Sequence, residues 1–326
     1  MSLSTSVVLC TCNGARYLGE QWASLLAQTR QPDEIVVRDD ASSDATPDLL
    51  EDLSRAATAC GVAVRLARNP HNLGYVANFE AALRDASCDV LLLCDQDDVW
   101  HPDKIAVLAE HFERRSGLQL LCSDARRVDV AGRPLPRSLF QVLKVTPGEL
   151  RRVHAGRGFG VLLRRSLATG ATVALRRSLL ATALPFPQGW VHDEWLAIIA
   201  AAAGGFDCLE TALVDYRQHD ANQIGMPDRG WAAKWRDLRR PRAAMIAGLI
   251  ARNEALLQRL SSLGDAVPGT CGAQTVDKLR HLHVRAAMHG PPWTRLGNIF
   301  GESVNGHYRS HGTGWRSALR DLLRRD

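Results

Sequence analysis

The feature that most constrains this chain is a regular alternation, over its first 125 residues, of short apolar segments with amphipathic ones. The apolar segments are rich in Val, Leu and Ile, and span residues 6–12, 34–38, 63–67, 89–94 and 118–122. Continuous apolar runs of this length are typical of strands buried on both faces of a parallel sheet. The segments between them have helical spacing and span 18–29, 46–60, 76–86 and 104–115. The sequence therefore predicts an α/β fold, in which helices flank a mostly parallel, Rossmann-like sheet.

The remainder of the chain has a different pattern. Residues 125–166 are rich in Gly and Pro, which predicts irregular surface connections and a flexible loop. The elements predicted next are a strand at 170–175, a helix at 193–203 and a strand at 213–219. Later residues have helical spacing, many Arg and no strand pattern. We therefore predict two domains, an α/β domain over 1–225 and a basic helical extension over 226–326.

Charge is distributed unevenly between these two parts. The whole chain has 40 Lys and Arg against 35 Asp and Glu, a formal net charge of +5. Residues 226–326 carry 17 basic and 8 acidic residues (+9), so residues 1–225 carry 23 and 27 (−4). The acidic part contains the candidate chemistry, and the basic part needs a separate explanation.

Three carboxylates, Asp95, Asp97 and Asp98, follow the fourth apolar run directly. In an open parallel sheet, ligands bind beyond the carboxyl ends of the strands. Hard oxygen ligands suit Mg²⁺ or Mn²⁺, which reach a nucleotide diphosphate through one or two carboxylates. A solvated acidic turn is the alternative, but it would leave three neighbouring carboxylates to repel one another without a cation. We therefore predict a divalent-metal site at this turn.

Two other predicted strands also end in polar residues. Asp39 and Asp40 follow the second run, where carboxylates can hydrogen-bond a base or ribose. Thr11 and Asn13 end the first run, although Asn13-Gly14 is also a common turn sequence. Each strand end is a weak signal by itself.

The loop after the third run contains Asn72 and Gly74 and leads to Asn78 in the next helix. Its backbone amides and the helix N-terminus could face a phosphate, although a capped loop-to-helix junction explains the same residues equally well. Because the carboxyl ends of parallel strands lie at one edge, four polar strand ends together indicate a ligand site there.

These residues resemble family 2 glycosyltransferases of the GT-A fold. The resemblance rests on four motifs in the family's order and spacing: 11–18 (TCNGARYL), 38–46 (RDDASSDAT), 72–74 (NLG) and 94–100 (CDQDDVW). It extends to about residue 225 through 169–171 (TGA), 192–195 (HDEW) and 216–219 (YRQH). The chain most resembles bacterial rhamnosyltransferase-like enzymes that build surface polysaccharide. Residues beyond 226 carry no such resemblance.

The resemblance implies roles for the residues at the matching positions. Asp39, with Asp40 beside it, would contact the nucleotide base, and Asp95 would reach the ribose. Asp97 would bind the metal ion. His219 would be a further ligand of the metal or the diphosphate, although a lone His at a strand end is often a hydrogen-bonded surface residue.

The general base implied by the resemblance is Asp193. The family's base often appears as Glu-Asp, whereas this chain reads His192-Asp193-Glu194, so the choice between Asp193 and Glu194 is open. We favour Asp193. The residues expected to contact the nucleotide sugar are Thr11, Asn13, Asp39, Asp40, Asn72, Asn78, Asp95 and Gly170.

Together these roles imply an inverting glycosyltransferase with Mg²⁺ or Mn²⁺ as cofactor. The donor would be a dTDP-, UDP- or GDP-linked sugar, such as a deoxyhexose like rhamnose, and the acceptor a saccharide or a lipid-linked glycan. One alternative is a metal-dependent sugar-phosphate nucleotidyltransferase, which would need a longer Gly-rich loop than residues 13–16 provide. A non-catalytic scaffold of a glycan pathway is the other alternative.

The basic extension has a composition that is typical of contact with an anionic membrane surface. Residues 234–240 and 315–325 have the pattern of basic amphipathic helices, and Trp231, Trp235, Trp293 and Trp315 lie among many Arg. A helical cap with a solvated basic face explains this pattern equally well, and no nucleic-acid-binding motif is present. No apolar run approaches the ~20 residues of a membrane span, and no secretory signal is apparent. We therefore expect a cytoplasmic protein, peripheral at most on the inner face of the cell membrane.

Overall fold

An eight-stranded sheet lies at the centre of the computed structural model, which describes residues 2–219 and 242–324. In chain order the strands are β1 Thr5–Thr11, β2 Glu34–Asp39, β3 Ala63–Arg68, β4 Val90–Cys94, β5 Val99–Trp100, β6 Leu120–Val128, β7 Val173–Arg176 and β8 Phe206–Arg217. All five strands predicted within the first 125 residues are present. β5 is not among the predicted strands, because two residues are too few to show a periodic pattern. β8 begins at Phe206, seven residues before the predicted start at 213.

The strands lie in the order β3-β2-β1-β4-β7-β6-β8-β5. The pairs β1–β2, β2–β3, β1–β4 and β6–β8 are parallel. β7 is antiparallel to both of its neighbours, β4 and β6, and β5 is antiparallel to β8. The prediction of an α/β fold in which helices flank a mostly parallel sheet is confirmed. Among the described strands, six run in one direction, and β5 and β7 run in the opposite direction, which apolar content alone could not predict.

The middle of the sheet is fully buried. Every residue of β1 and of β4 is buried. Helix α1 (Ala15–Leu26) packs Leu18, Trp22 and Leu25 into the core beneath them. Burying an apolar side chain of this size contributes about 1.5–3 kcal/mol, so this packing fixes the positions of the two strand ends that carry the polar residues. β3, by contrast, is an edge strand with no buried residue, against the prediction of strands buried on both faces.

Helices connect the strands as the amphipathic segments predict. They are α2 Thr46–Ala59, α3 Tyr75–Asp85, α4 Lys104–Arg114, α5 Leu139–Leu143, α6 Pro147–His154, α7 Phe159–Arg164, α8 Leu180–Ala183 and α9 His192–Ala202. The prediction of irregular structure over 125–166 is wrong, because α5, α6 and α7 lie there. Capping boxes begin two of them, at Ser138 and Thr146. Helices of five to eight residues complete too few turns to produce a periodic apolar pattern.

The chain forms two compact units. The first comprises 1–158, 166–186 and 191–223, and the second comprises 159–165, 187–190 and 224–326. The second unit thus includes two short segments from the first 225 residues, which the sequence did not indicate. The predicted boundary at 225/226 falls outside the described residues and stays a prediction.

The second unit is helical. Its helices beyond residue 242 are α10 Ala243–Leu263, α11 Gly269–Ala286, α12 Pro292–Val304, α13 His307–His311 and α14 Trp315–Leu323. α14 corresponds to the basic helix predicted at 315–325, whereas Trp231, Trp235 and the helix predicted at 234–240 lie outside the described residues. None of the described helices is long and apolar enough to cross a membrane.

Candidate active site

The polar strand ends lie at one edge of the sheet. The parallel pairings place the carboxyl ends of β1, β2 and β4 side by side. β7 is antiparallel to both β4 and β6, so β6 runs in the same direction as β4. β8 is parallel to β6 and therefore also runs in this direction. The antiparallel direction of β7 places its start, preceded by Gly170, at this edge. β3 is parallel to β2 and β5 is antiparallel to β8, so among the described strands six end and two begin at this edge.

The turn after β4 is tied to the end of β8. Asp97 Oδ2 lies 2.7 Å from Nε2 of His219. Asp98 is buried, and its Oδ1 accepts a hydrogen bond of 3.0 Å from the backbone N–H of Arg217. Its other oxygen, Oδ2, is buried without a hydrogen-bond partner among the described residues. The two predicted metal-binding residues, Asp97 and His219, are thus in direct contact.

The negative charges of the carboxylates in this turn are disfavoured by burial and by mutual repulsion. Burial, together with the charges of Asp97 and Asp193, raises the pKa of Asp95 to about 7. Burial and the charges of Asp97 and Asp95 likewise raise the pKa of Asp98 well above its ordinary value. The pKa of Tyr216 is also raised, by burial and by the charges of these four carboxylates. A site that disfavours its own negative charges is one that a cation would stabilise.

Asp193 and Gly170 meet beside this turn. Asp193 lies in the first turn of α9, is 4% exposed, and its Oδ2 accepts a hydrogen bond of 2.8 Å from the Gly170 N–H. A Cβ added to Gly170 would lie 3.8 Å from Asp193 Oδ2 and 3.8 Å from Asp95 Oδ2. Burial, followed by the charge of Glu194, raises the pKa of Asp193 to about 7. A carboxylate with that pKa is suited to accept a proton near neutral pH.

His192 is a residue whose position the sequence did not indicate. Its ring is buried and stacks on Phe79 with 4.2 Å between ring centroids. Neither ring nitrogen has a hydrogen-bond partner among the described residues, and burial lowers the pKa of His192 to about 3. Its Nε2 would lie 3.1 Å from a Cβ at Gly170, so it faces the point where Asp95 and Asp193 meet.

Lys104 is a second residue that the sequence analysis missed. It is fully buried, donates a hydrogen bond of 2.7 Å to the carbonyl of Ala171, and lies over the ring of Trp100. Burial lowers the pKa of Lys104 to about 7. Its contact with Ala171 fixes the segment that carries Gly170.

Asp39 and Thr11 lie together at the ends of β2 and β1. Thr11 Oγ1 donates a hydrogen bond of 3.0 Å to Asp39 Oδ1, and the Ser42 N–H donates one of 3.0 Å to Oδ2. Arg68 Nε lies 3.3 Å from the same Oδ2. These contacts hold the Asp39 carboxylate in one orientation at the edge of the sheet.

Asp40 and Asn78 have structural partners instead. Asp40 accepts hydrogen bonds from the Asn69 side chain and from the backbone N–H groups of Leu73 and Gly74, at 2.7–2.9 Å. Asn78 accepts a hydrogen bond from the Asn69 side chain and donates one to the backbone carbonyl of Arg38 in β2. Both side chains are buried and hold the loop after β3, so their contribution to ligand binding would be indirect.

Asn72 and Asn13 lie nearer the surface. The Asn72 side chain donates to the carbonyl of Asp40 at 3.2 Å, and Asn13 Oδ1 accepts from the Ser43 N–H at 2.9 Å. Asn13 has a φ of 51°, a left-handed conformation that Asn tolerates better than most residues. The exposed Asn13 and Asn72 thus belong to the rim of the site.

Gln96 connects the ends of β4 and β1. Its Oε1 accepts from the Cys12 N–H at 2.8 Å, and its Nε2 donates to the Cys12 carbonyl at 3.0 Å. A Cβ at Gly14 would lie 2.1 Å from Gln96 Oε1, so Gly14 makes room for this side chain. Gln96, the central residue of the Asp-Gln-Asp sequence, therefore links the end of β4 to the end of β1 through hydrogen bonds.

A different cluster of possible metal ligands lies in the second unit. Among the residues that the structure describes, three such side chains come within 4.8 Å of one another only at His281, Glu302 and His307. They are joined by hydrogen bonds, with Glu302 Oε2 accepting from both histidines. This cluster is separate from the site predicted at Asp97 and His219.

The chain is similar in sequence to known glycosyltransferases. The sequence model of glycosyl transferase family 2 matches residues 6–180. An uncharacterized glycosyltransferase of Nostoc sp. is 28% identical over 236 residues, which is 68% of this chain and 66% of that protein. An uncharacterized glycosyltransferase of Haemophilus influenzae is 27% identical over 36% of this chain and 35% of its own. The chain thus spans from about a third to just under two thirds of these relatives.

Two solved structures share the fold. TarS residues 1–349 of S. aureus, in complex with UDP, has a TM-score of 0.53 at 16% identity, covering 98% of this chain and 90% of that one. The mannosyltransferase PcManGT of Pyrobaculum calidifontis, in complex with GDP-Man and Mn²⁺, has a TM-score of 0.53 at 19% identity, covering 99% and 86%. At these identities the likeness concerns the fold alone.

Proposed function

Because the chain belongs to glycosyl transferase family 2, we propose that it transfers a sugar from a nucleotide-diphosphate donor to an acceptor hydroxyl, with inversion at the anomeric carbon. The observation that carries this proposal is the proximity of Asp95, Asp193 and Gly170 to one another beside the Asp97–His219 contact. They lie at the edge of the sheet where six of the described strands end. A catalytic base and a diphosphate-binding turn are thus neighbours.

Asp97 and His219 would hold a divalent cation, Mg²⁺ or Mn²⁺. The fit is supported by a carboxylate oxygen and an imidazole nitrogen in contact, and by the buried oxygen of Asp98 that lacks a partner among the described residues. When bound, such an ion neutralises the diphosphate and stabilises the charge that grows on it as it leaves. The complex of PcManGT with GDP-Man and Mn²⁺ is consistent with this choice.

Asp193 would act as the general base. It accepts the proton of the acceptor hydroxyl while the new bond forms between that oxygen and the anomeric carbon, and the bond to the diphosphate oxygen breaks. Proton transfer to a placed base contributes typically ~10²–10⁴-fold to the rate. We favour Asp193 over Glu194 because Asp193 Oδ2 is the oxygen held beside Gly170 and Asp95.

Asp39 and Thr11 would bind the nucleotide base, and Asp95 would bind the ribose. Asn13 and Asn72 would contact the donor at the rim of the site. Asp40 and Asn78 would support these contacts by holding the loop after β3. The donor would be a UDP-, GDP- or dTDP-linked hexose or deoxyhexose such as rhamnose, used in bacterial surface polysaccharide. The support for this last step is the resemblance of the sequence motifs to rhamnosyltransferase-like enzymes.

The acceptor would be a saccharide or a lipid-linked glycan, reached on the cytoplasmic side of the membrane. The excess of basic residues in 226–326 supports peripheral contact with an anionic surface. This placement would bring the acceptor to the enzyme.

The test combines binding with transfer. UDP, GDP and dTDP are screened by thermal shift with and without Mn²⁺, because a ligand at a hundred times its Kd stabilises the folded state by about 2.7 kcal/mol. Release of the nucleotide diphosphate is then measured with the matching sugar donor. Asp193→Asn should keep the nucleotide-induced shift and lose most transfer, whereas the matched control Glu194→Gln should retain it. No shift with any of the three nucleotides would refute the donor site, and full transfer by Asp193→Asn would refute the base.

A further inference from the structure

Helix α12 (Pro292–Val304) exposes its large apolar side chains. Trp293 is 71% exposed, Leu296 51%, Phe300 72% and Val304 68%. Their positions, i, i+3, i+7 and i+11, lie on one face of a helix. We call these four residues the apolar stripe. Single exposed apolar residues are ordinary, but four of this size on one helix face mark a binding surface.

The opposite face of α12 is polar and buried. Arg295 donates hydrogen bonds to the carbonyls of Asp321 (3.1 Å) and Arg324 (2.9 Å). Glu302 accepts one of 2.9 Å from Nδ1 of His307. Rotating the helix to bury the apolar stripe would break these bonds and would bring two charged side chains out of their sites. The stripe therefore faces outward because its helix is fixed from the other side.

The charge of this part of the chain distinguishes among the surfaces that could cover the stripe. Residues 242–324 contain eleven Lys and Arg against five Asp and Glu. Arg309 and Arg316 are exposed, and Trp315 beside Arg316 is 70% exposed. The stripe itself carries no charged residue. A second copy of the chain would bring the same positive charge, whereas an anionic lipid surface offers the opposite charge beside an apolar layer.

We propose that the apolar stripe of α12 inserts into the interface of an anionic lipid bilayer, where the net positive charge of residues 242–324 attracts the lipid headgroups. Trp prefers the boundary between the lipid headgroups and the acyl chains, since its ring is apolar and its N–H needs a polar partner. This proposal deepens the proposed function. It rests on that function only in assuming that a lipid-linked acceptor lies at the same membrane surface. The protein should bind lipid vesicles whether or not a nucleotide-sugar donor is present.

The experiment measures sedimentation of the full-length protein with vesicles of phosphatidylcholine alone and of phosphatidylcholine with phosphatidylglycerol. The wild type should bind the anionic vesicles, and added salt should weaken that binding. Leu296→Gln/Phe300→Gln should weaken it about a hundredfold, which is about 2.8 kcal/mol at 1.4 kcal/mol per factor of ten. Because both side chains are already exposed, this variant should fold as the wild type does.

Val276→Ser is the matched control, since Val276 is a half-exposed apolar residue on α11 of the same unit. It should bind vesicles as the wild type does. Failure of the wild type to bind anionic vesicles, or equal binding by the double variant, would overturn the proposal. So would gel filtration showing a dimer that the double variant loses. The thermal shift caused by a nucleotide with Mn²⁺ reports on the donor site and not on lipid binding. The proposed function and the lipid-binding proposal can therefore be refuted independently of each other.

Discussion

Replacing Asp193 with Asn should stabilise the folded protein while removing its proposed base. Asp193 is almost fully buried, and its pKa rises from an ordinary 3.8 to about 7, chiefly through burial. At 1.36 kcal/mol per pKa unit, the charged carboxylate costs the folded state about 4 kcal/mol at high pH. Asn has nearly the same shape without the charge. It can accept only one of the two backbone hydrogen bonds, from Gly170 and Glu194, which subtracts about 1 kcal/mol.

The sign of this effect depends on pH. Below about pH 4, Asp193 is protonated in both the folded and the unfolded chain, so the charge costs nothing. As the pH rises to about 7, the unfolded chain loses its proton first and the wild type loses stability relative to the variant. Above about pH 7 the difference is constant, and the net advantage of Asp193→Asn should be about 3 kcal/mol.

Urea unfolding of the two proteins at about pH 5 and pH 8 measures this difference directly. EDTA is included, because a bound cation would stabilise the carboxylate and hide its cost. Asp48→Asn, at an exposed position in the first turn of α2, is the control and should show no such pH dependence. The reasoning is refuted if the free-energy difference between wild type and Asp193→Asn is the same at both pH values, or if the wild type is the more stable at pH 8.

Two further substitutions test the surroundings of the site. His192→Phe keeps the stacking on Phe79 and removes two buried nitrogens that have no hydrogen-bond partner among the described residues. It should therefore raise the free energy of unfolding by about 1 kcal/mol or more. A loss of stability in urea unfolding would contradict this. Gly14→Ala places a Cβ against Gln96 and should cost about 1–3 kcal/mol by breaking its bonds to Cys12. Adding Gln96→Ala should then cost little more, and a fully additive loss in the double variant would show that Gly14 acts in another way.

The sequence predicted the fold and the edge of the sheet where polar residues meet, for a simple physical reason. Buried parallel strands must be continuously apolar, so their ends are visible as abrupt changes to polar residues. The turn at 95–98 was found in this way, whereas Asp193 was implied only by the resemblance to the family. The structure places the turn and Asp193 together. Their catalytic roles are still predictions.

The features that the sequence could not predict depend on contacts between distant residues. Asp40 and Asn78 look like ligand-binding residues in the sequence, but their polar atoms are bonded to the loop after β3. His192 looks like an ordinary neighbour of Asp193 in the sequence. Only the packing of α9 on Phe79 reveals that its ring is buried, with nitrogens that have no hydrogen-bond partner in the described part of the chain. The direction of β7 could not be predicted either, because its four residues give no information on pairing.

The antiparallel pairing of β6 and β7 also determines where the chain can change in length. The chain leaves β6 and enters β7 at the same edge of the sheet, so the span between Val128 and Val173 is a closed excursion. Lengthening it costs little entropy, because closure entropy grows only with the logarithm of length, and it shifts the register of no strand. The connections within this span that precede Gly170 are therefore where insertions should be tolerated best, because they leave the carboxylate turn, Gly170 and Asp193 in place.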